Sequence, residues 1–438
     1  MTADQGHPKA GGPPREPGLR PESSRPAVAD LGPVTRLVLP NGLTVLVRES
    51  RGAPVVAVTL LSRGGAADEA PELNGLTALL GRVLLKGTRA RTAVEVASAA
   101  EDAGGGIESG ADQEYGELRT WGLARHWPRL LGLLHEVATE PRLADDEIER
   151  ERGVLLAQIR GLEDQPAQVA NRVLARALFG PRGYGLPTSG EEATVARITR
   201  ASLLERFGQA YTADRLVLAV SGAVTAGDVL GEVGRLFEGL RPGGPVSAPP
   251  PPPERPVRLR AHETSPTQQA HVLLGYLAPP VAALDHVALK VANGVLGGGM
   301  SSRLFRTLRD EEGLAYSVGS AYPTRRGAGR VVLHIGTAPE NVAAAEAGLR
   351  REVDRLSGEP VPEDELARTK AYLSGSFVLD RRTNGRQSFY LAFYEVMGVG
   401  AEYVLHYPSL LEAVGATDVL RSARRHLVEP AVVVVGPA

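Results

Sequence analysis

The chain has no cysteine in its 438 residues, which excludes disulfides, thiolate metal sites and a cysteine nucleophile. It also lacks any apolar run approaching the roughly 18 residues of a membrane-spanning helix, so no span is expected. Charge of one sign is missing too. The 49 Lys and Arg nearly cancel the 51 Asp and Glu, and a formal net charge of −2 leaves no electrostatic footprint for nucleic acid or an anionic membrane. The nine histidines include no pair at helical spacing; the nearest are His126 with His135 and His262 with His271. A local histidine zinc motif is therefore absent. No G-x-S-x-G elbow is present, "GRVLLKGT" places Lys-Gly-Thr where a phosphate loop needs Gly-Lys-Thr, and "GVLGGGMSS" follows a helical rather than a strand-like segment.

What is present is a pattern stated twice. Residues 1–33 are rich in Pro, Gly and charge and have no signal-peptide apolar stretch, which reads as a disordered tail and gives a cytoplasmic expectation, with a periplasmic location left open. The Pro/Gly-rich stretch 241–256 separates two long periodic regions, 34–240 and 257–438, and reads as a linker. Each region opens on β-type runs, "TRLVLPNGLTVLV" and "PVVAVTLLS" in the first, "PVRLRAH" and "AHVLLGYLA" in the second. Helices with acidic first turns follow near Asp146 and Asp364, and strand-like runs close the regions at Gly222 and Gly436. These landmarks are offset by nearly the same distance, so a duplicated domain is expected. Strands and helices come in runs rather than strict alternation, which favours an α+β fold of two homologous domains, each a mostly antiparallel sheet covered by helices.

Two stretches hold candidate chemistry. In "GLTALLGRVLLKGT", residues 75–88, Leu76, Leu79, Leu80, Val83 and Leu84 recur on one helical face, with Gly87 just past the end. The other face carries Ala78, Gly81 and Arg82, and a glycine inside a helix costs about 1 kcal/mol against alanine, so packing rather than propensity accounts for it. In the second half Gly297, Gly298 and Gly299 imply either close approach by another chain or positive φ angles, or else a simple turn. After them Ser301 and Ser302 are expected to cap a helix holding Leu304, Phe305 and Leu308, with Gly313 ending it before a strand through Ala315, Tyr316 and Ser317. Arg309 and Tyr316 so placed could donate to a carbonyl that becomes an oxyanion, or could simply be a helix-end arginine and a packed strand tyrosine.

Taken together, "LPNGLTVLV", "GLTALLGRVLLKGT", "IERERGVLLAQI", "YTADRLVLAVSG" and "GGGMSSRLFRTLRDEEGLAYSV" resemble the pitrilysin/insulinase family of zinc peptidases, the inverzincins, over nearly the whole chain from about Val34. The resemblance implies two homologous α/β units forming a half-shell, two of which enclose a peptide-sized chamber. Active members carry His-x-x-Glu-His where this chain reads Ala78-Leu79-Leu80-Gly81-Arg82, and the family's third ligand position falls on Gln158. All three ligands and the general base are thus replaced, no metal is expected in this chain, and the chain alone is expected to be inactive. Glu151 matches an acidic position flanking the family's site, and Arg82 is expected to replace the lost cation and pair with it. Arg309 and Tyr316 fall on the family's arginine and tyrosine that reach the substrate carbonyl, and Gly297, Gly298 and Gly299 match the substrate-handling loop of non-catalytic subunits.

The resemblance is to the zinc-motif-lacking subunit of heterodimeric members such as mitochondrial processing peptidase. It implies a homologous zinc-bearing partner and a peptide or unfolded polypeptide substrate. In the family, substrate adds to a sheet edge that here reads "GGGIESGADQEYGEL", whose glycines and charges argue against productive binding at this chain's own site. The rival expectation is a structural core or peptide-binding subunit without catalytic contribution.

Overall fold

The computed structural model describes residues 34–244 and 253–437; the tail and the centre of the Pro-rich linker lie outside the described residues. The first half builds a six-stranded sheet from β1 (Val34–Val38), β2 (Thr44–Glu49), β3 (Val55–Arg63), β4 (Gly106–Ala111), β5 (Tyr115–Leu123) and β6 (Leu216–Gly222). The second builds a five-stranded sheet from β7 (Arg260–Thr264), β8 (Ala270–Ala278), β9 (Ser317–Ala321), β10 (Gly329–Thr337) and β11 (Ala431–Gly436).

Apart from the extra edge strand β1, the two sheets have one topology. The order β2-β6-β3-β5-β4 in the first is repeated as β7-β11-β8-β10-β9 in the second. Each sheet contains one parallel pair, β2 with β6 and β7 with β11, where the first strand lies beside the last. All other pairings are antiparallel. The α+β expectation and the duplication are both realised in this correspondence.

Six helices position the features of interest: α1 (Leu76–Leu84), α2 (Asp145–Glu163), α3 (Pro166–Phe179), α4 (His286–Gly297), α5 (Glu363–Asp380) and α6 (Asn384–Val396). Helices α1 and α4 are counterparts, each following the long central strand of its sheet.

The central strands "VVAVTLLSR", "LVLAVSG" and "AVVVVG" are apolar almost without alternation, the pattern of strands covered on both faces. The second cover comes from the other half of the chain. Val169, Ala170, Leu174 and Leu178 of α3 pack on Leu273, Val433 and Val435 of the second sheet. Reciprocally, Leu391 and Phe393 of α6 share a core with Leu46, Leu61 and Val217 of the first. Gly275 makes the first contact possible, because a Cβ there would lie 2.7 Å from a Leu174 methyl carbon. Thr59 and Ser388 hydroxyls meet at 2.9 Å across the second contact, which keeps the buried polar pair satisfied. The helix exchange fixes the two sheets relative to each other.

Candidate functional site

Helix α1 is anchored at its start by a carboxylate. Glu69, buried, accepts from the backbone N–H of Gly75 at 2.7 Å and of Thr77 at 2.6 Å, and from the Asn74 amide at 3.0 Å. A negative charge on otherwise orphaned N–H groups suits the positive end of the helix dipole. From there Leu79, Leu80, Val83 and Leu84 enter the core of the first half, as their spacing predicts. Gly81 sits against edge strand β4: its carbonyl accepts from the Ser109 hydroxyl at 2.6 Å, and a Cβ would lie 3.4 Å from the Gly110 carbonyl oxygen. A Cβ at Gly81 would therefore make only ordinary van der Waals contact, and packing alone does not require the glycine.

Arg82 turns toward α2. Its guanidinium donates to the Gln158 side-chain oxygen, and Nη1 lies 3.6 Å from Glu151 Oε2, so the expected pairing is present. Sequence reading missed a third member. Lys86, one turn further on, places Nζ 2.9 Å from Glu151 Oε1, so a carboxylate only 7% exposed lies between two cations. The i, i+4 spacing of Arg82 and Lys86 was the available signal.

This donor set does not fit zinc. Ala78 offers no donor, Arg82 is a cation, and Gln158 is a neutral amide already engaged by Arg82. Among the described residues no cluster of three or more His, Asp or Glu side chains could hold a metal ion.

The degenerate site opens into a cavity of about 650 Å³ between the two halves, lined by Ala78, Arg82 and Gln158 together with Arg172, Arg325 and Arg330. Its wall is stitched across the halves by Arg325, which pairs with Asp112, and by Glu114, which accepts from the backbone N–H of Arg326 at 2.7 Å and from the Tyr184 hydroxyl. Burial pushes the Glu114 carboxyl above the ordinary range, opposed by these donors.

The second group lies elsewhere. Arg309 and Tyr316 come together with the Arg309 guanidinium 5.3 Å from the Tyr316 ring centre and 4.3 Å from that of Phe305. Neither lines the cavity that holds Arg82. Tyr316 is 84% exposed, and Arg309 has no carboxylate partner among the described residues.

Three local expectations change here. Residues Phe305–Glu311 form a π-helical turn rather than a regular α-helix, a geometry that widens the turn carrying Arg309. Ser301 and Ser302 do not cap it: the Ser302 hydroxyl is buried without a partner, and the segment is instead pinned by buried Arg303, whose guanidinium donates twice to Glu365 of α5 at 2.9 and 2.8 Å. Tyr316 immediately precedes β9 rather than lying on it. The glycine run has no positive φ; Gly297 ends α4, where a Cβ would come within 2.3 Å of the Ser320 backbone nitrogen. Close approach, by the chain's own β9, is therefore the constraint on Gly297.

Comparison with known proteins bears on this geometry. Residues 44–192 match the family described as insulinase (peptidase family M16), and residues 197–373 match the one described as peptidase M16 inactive domain. An uncharacterized zinc protease of Streptomyces coelicolor is 31% identical over 363 residues, 81% of this chain and 79% of that protein. The chain belongs to the M16 peptidase family. Another M16 relative, the uncharacterized zinc protease YmxG of Bacillus subtilis, is 27% identical over 81% of this chain and 86% of its own length. Among solved structures, a peptidase M16 inactive domain from Pseudomonas fluorescens superposes with a TM-score of 0.86 at 22% identity, covering 92% of this chain and 98% of that one. A Helicobacter pylori protease gives 0.86 at 20% identity over 93% and 100%. The tandem M16 fold is thus shown. No helix among the described residues is long and apolar enough to cross a membrane.

Proposed function

We propose that this chain is a zinc-free M16 subunit that works with a homologous zinc-bearing chain, contributing Arg309 and Tyr316 to peptide cleavage at the partner's site. The observation that carries this reading is the contrast between the two groups: Ala78, Gly81, Arg82 and Gln158 retain no ligand or base, whereas Arg309 and Tyr316 are paired, accessible and not engaged by any carboxylate. The Arg309 guanidinium lies within cation–π distance of the Phe305 and Tyr316 rings, and without a carboxylate partner among the described residues its N–H donors would be available to a peptide carbonyl. The Tyr316 hydroxyl, projecting into solvent in the single chain, would donate to the oxygen on which negative charge develops. Gly297 lies against β9, Gly298 against Gly294 and Gly299 against the Tyr372 ring, and the three glycines would give the substrate side of this segment a low profile.

Co-expression with a zinc-bearing homologue and assay of peptide hydrolysis tests the reading. Tyr316→Phe is expected to cost on the order of 100-fold in the complex, the usual scale for one oxyanion donor. A complex that forms and cleaves equally well with Tyr316→Phe would make this chain a wall of the chamber.

A further inference from the structure

The turn that carries Arg309 has an uncommon geometry that its own backbone does not secure. Phe305–Glu311 is π-helical, with the Glu312 N–H donating to the Thr307 carbonyl at 2.9 Å. Such turns are rare and short-lived along a chain, so neighbouring structure has to impose them. Two contacts do so here. Leu304 and Leu308 are buried in the core of the second half, and Leu308 occupies space that Gly348, in the helix Val342–Gly358, leaves free by having no side chain. At the start of the segment buried Arg303 donates through Nε and Nη2 to the two Glu365 oxygens, a side-on fork onto the first turn of α5.

This ion pair is unlike those on the surface. The Arg303 side chain is 4% exposed and that of Glu365 18%, and Nη1 of Arg303 is buried without a hydrogen-bond partner. Taking two charges out of water stabilises a fold no better than a well-packed apolar pair of the same size, and the unused donor adds a further cost. The pair is therefore a poor device for stability and a good one for direction, since a bidentate fork fixes orientation as an apolar contact does not. What it directs is the turn that follows, where the Arg309 guanidinium lies 4.3 Å from the Phe305 ring centre and 5.3 Å from that of Tyr316. We infer that Arg303 and Glu365 are positioning residues: their fork holds the π-helical winding, and through it the place of Arg309 beside Tyr316. A change in winding redirects every side chain after Phe305, because side-chain direction follows the helical period. The consequence for hydrolysis rests on the role proposed above for Arg309, whereas the consequence for the turn does not.

The test replaces the pair by an apolar one, Arg303→Met with Glu365→Leu, in the full-length chain. Hydrogen-exchange mass spectrometry of the chain alone is expected to show the amides of 305–316 exchanging at least about 10-fold faster, with the strands of both sheets unchanged and the melting temperature held or raised. Unchanged exchange in 305–316, or faster exchange throughout the chain, would overturn the inference. In the complex with a zinc-bearing homologue the double variant is expected to lower kcat for peptide hydrolysis about 10-fold with KM within about 3-fold. Adding Arg309→Ala to it should cost far less than Arg309→Ala alone, because both act through one guanidinium. Losses that simply multiply would also overturn the inference. Tyr316→Phe separates the two levels: if it leaves hydrolysis untouched, the role of Arg309 and Tyr316 at the partner's site fails, and the exchange result by itself decides whether the fork sets the turn. Should the double variant fail to fold, Arg303→Lys, which keeps the charge and loses the fork, is expected to give the same exchange pattern in weaker form. Wild-type exchange in that variant would count against the fork.

Discussion

The two halves have the same strand order, yet their counterpart helices lead to opposite outcomes. After β3 come α1 with Arg82 and, one turn on, Lys86: Arg82 is tied to Glu151 and Gln158, and Lys86 to Glu151, all on α2 within the same half. After β8, α4 ends at Gly297 against β9, and the following π-helical turn presents Arg309 beside an exposed Tyr316, with no carboxylate paired to Arg309 among the described residues. In the first half, charge has been neutralised internally; in the second, it has been left available. A duplicated fold can therefore keep one scaffold while one copy becomes self-contained and the other points outward.

The comparison can be broken most forcefully by rebuilding the first half. Ala78→His, Gly81→Glu, Arg82→His and Gln158→Glu together are expected to convert a chain with no stoichiometric zinc into one holding about one ion, by elemental analysis after dialysis. Next in size is the contrast within the complex: Tyr316→Phe should slow peptide hydrolysis on the order of 100-fold while Arg82→Ala changes it by less than about 3-fold. If Arg82→Ala proved as damaging as Tyr316→Phe, the division between the halves would be wrong.

Stability sharpens the same contrast. Glu151→Ala leaves Arg82 and Lys86 facing each other across the buried position and is expected to cost about 2 kcal/mol in denaturant unfolding. Glu312→Ala, which removes the partially exposed pair with Arg351, should cost no more than about 0.5 kcal/mol.

A pH-dependent effect concerns Lys290 on α4, whose ammonium donates to the Tyr322 backbone oxygen at 2.5 Å and whose pKa burial lowers to about 7. Between pH 7 and the ordinary lysine value near 10.5 the unfolded chain holds the proton that the folded chain has released, so stability rises with pH across that window. The slope is at most about 1.4 kcal/mol per pH unit, and Lys290→Met should flatten it in melts taken from pH 7 to 10.

Much of this was legible in the residues. The reading of Ala78, Gly81 and Arg82 as replaced zinc-motif positions rests on helical ligands sitting at fixed short spacings, and spacing survives without coordinates. The duplication could be read because buried strands such as "AHVLLGYLA" and "AVVVVG" carry their burial in composition. Lys86 was passed over because its importance lies in a carboxylate on another helix, and Ser302 was misread because a capping residue type does not ensure a capping geometry. The exchange of α3 and α6 between the sheets had no local signal at all.

By itself the sequence determined that there are two similar domains of mixed strand and helix, since this depends on periodicity and residue chemistry along the chain. Only the tertiary structure decided that Arg82, Lys86, Glu151 and Gln158 form one network, that Arg309 and Tyr316 stand apart from it, and that Arg330 lines a cavity with no acid partner of its own among the described residues. Charge pairing depends on distance in space, and residues far apart in the chain become neighbours only when the two sheets are packed.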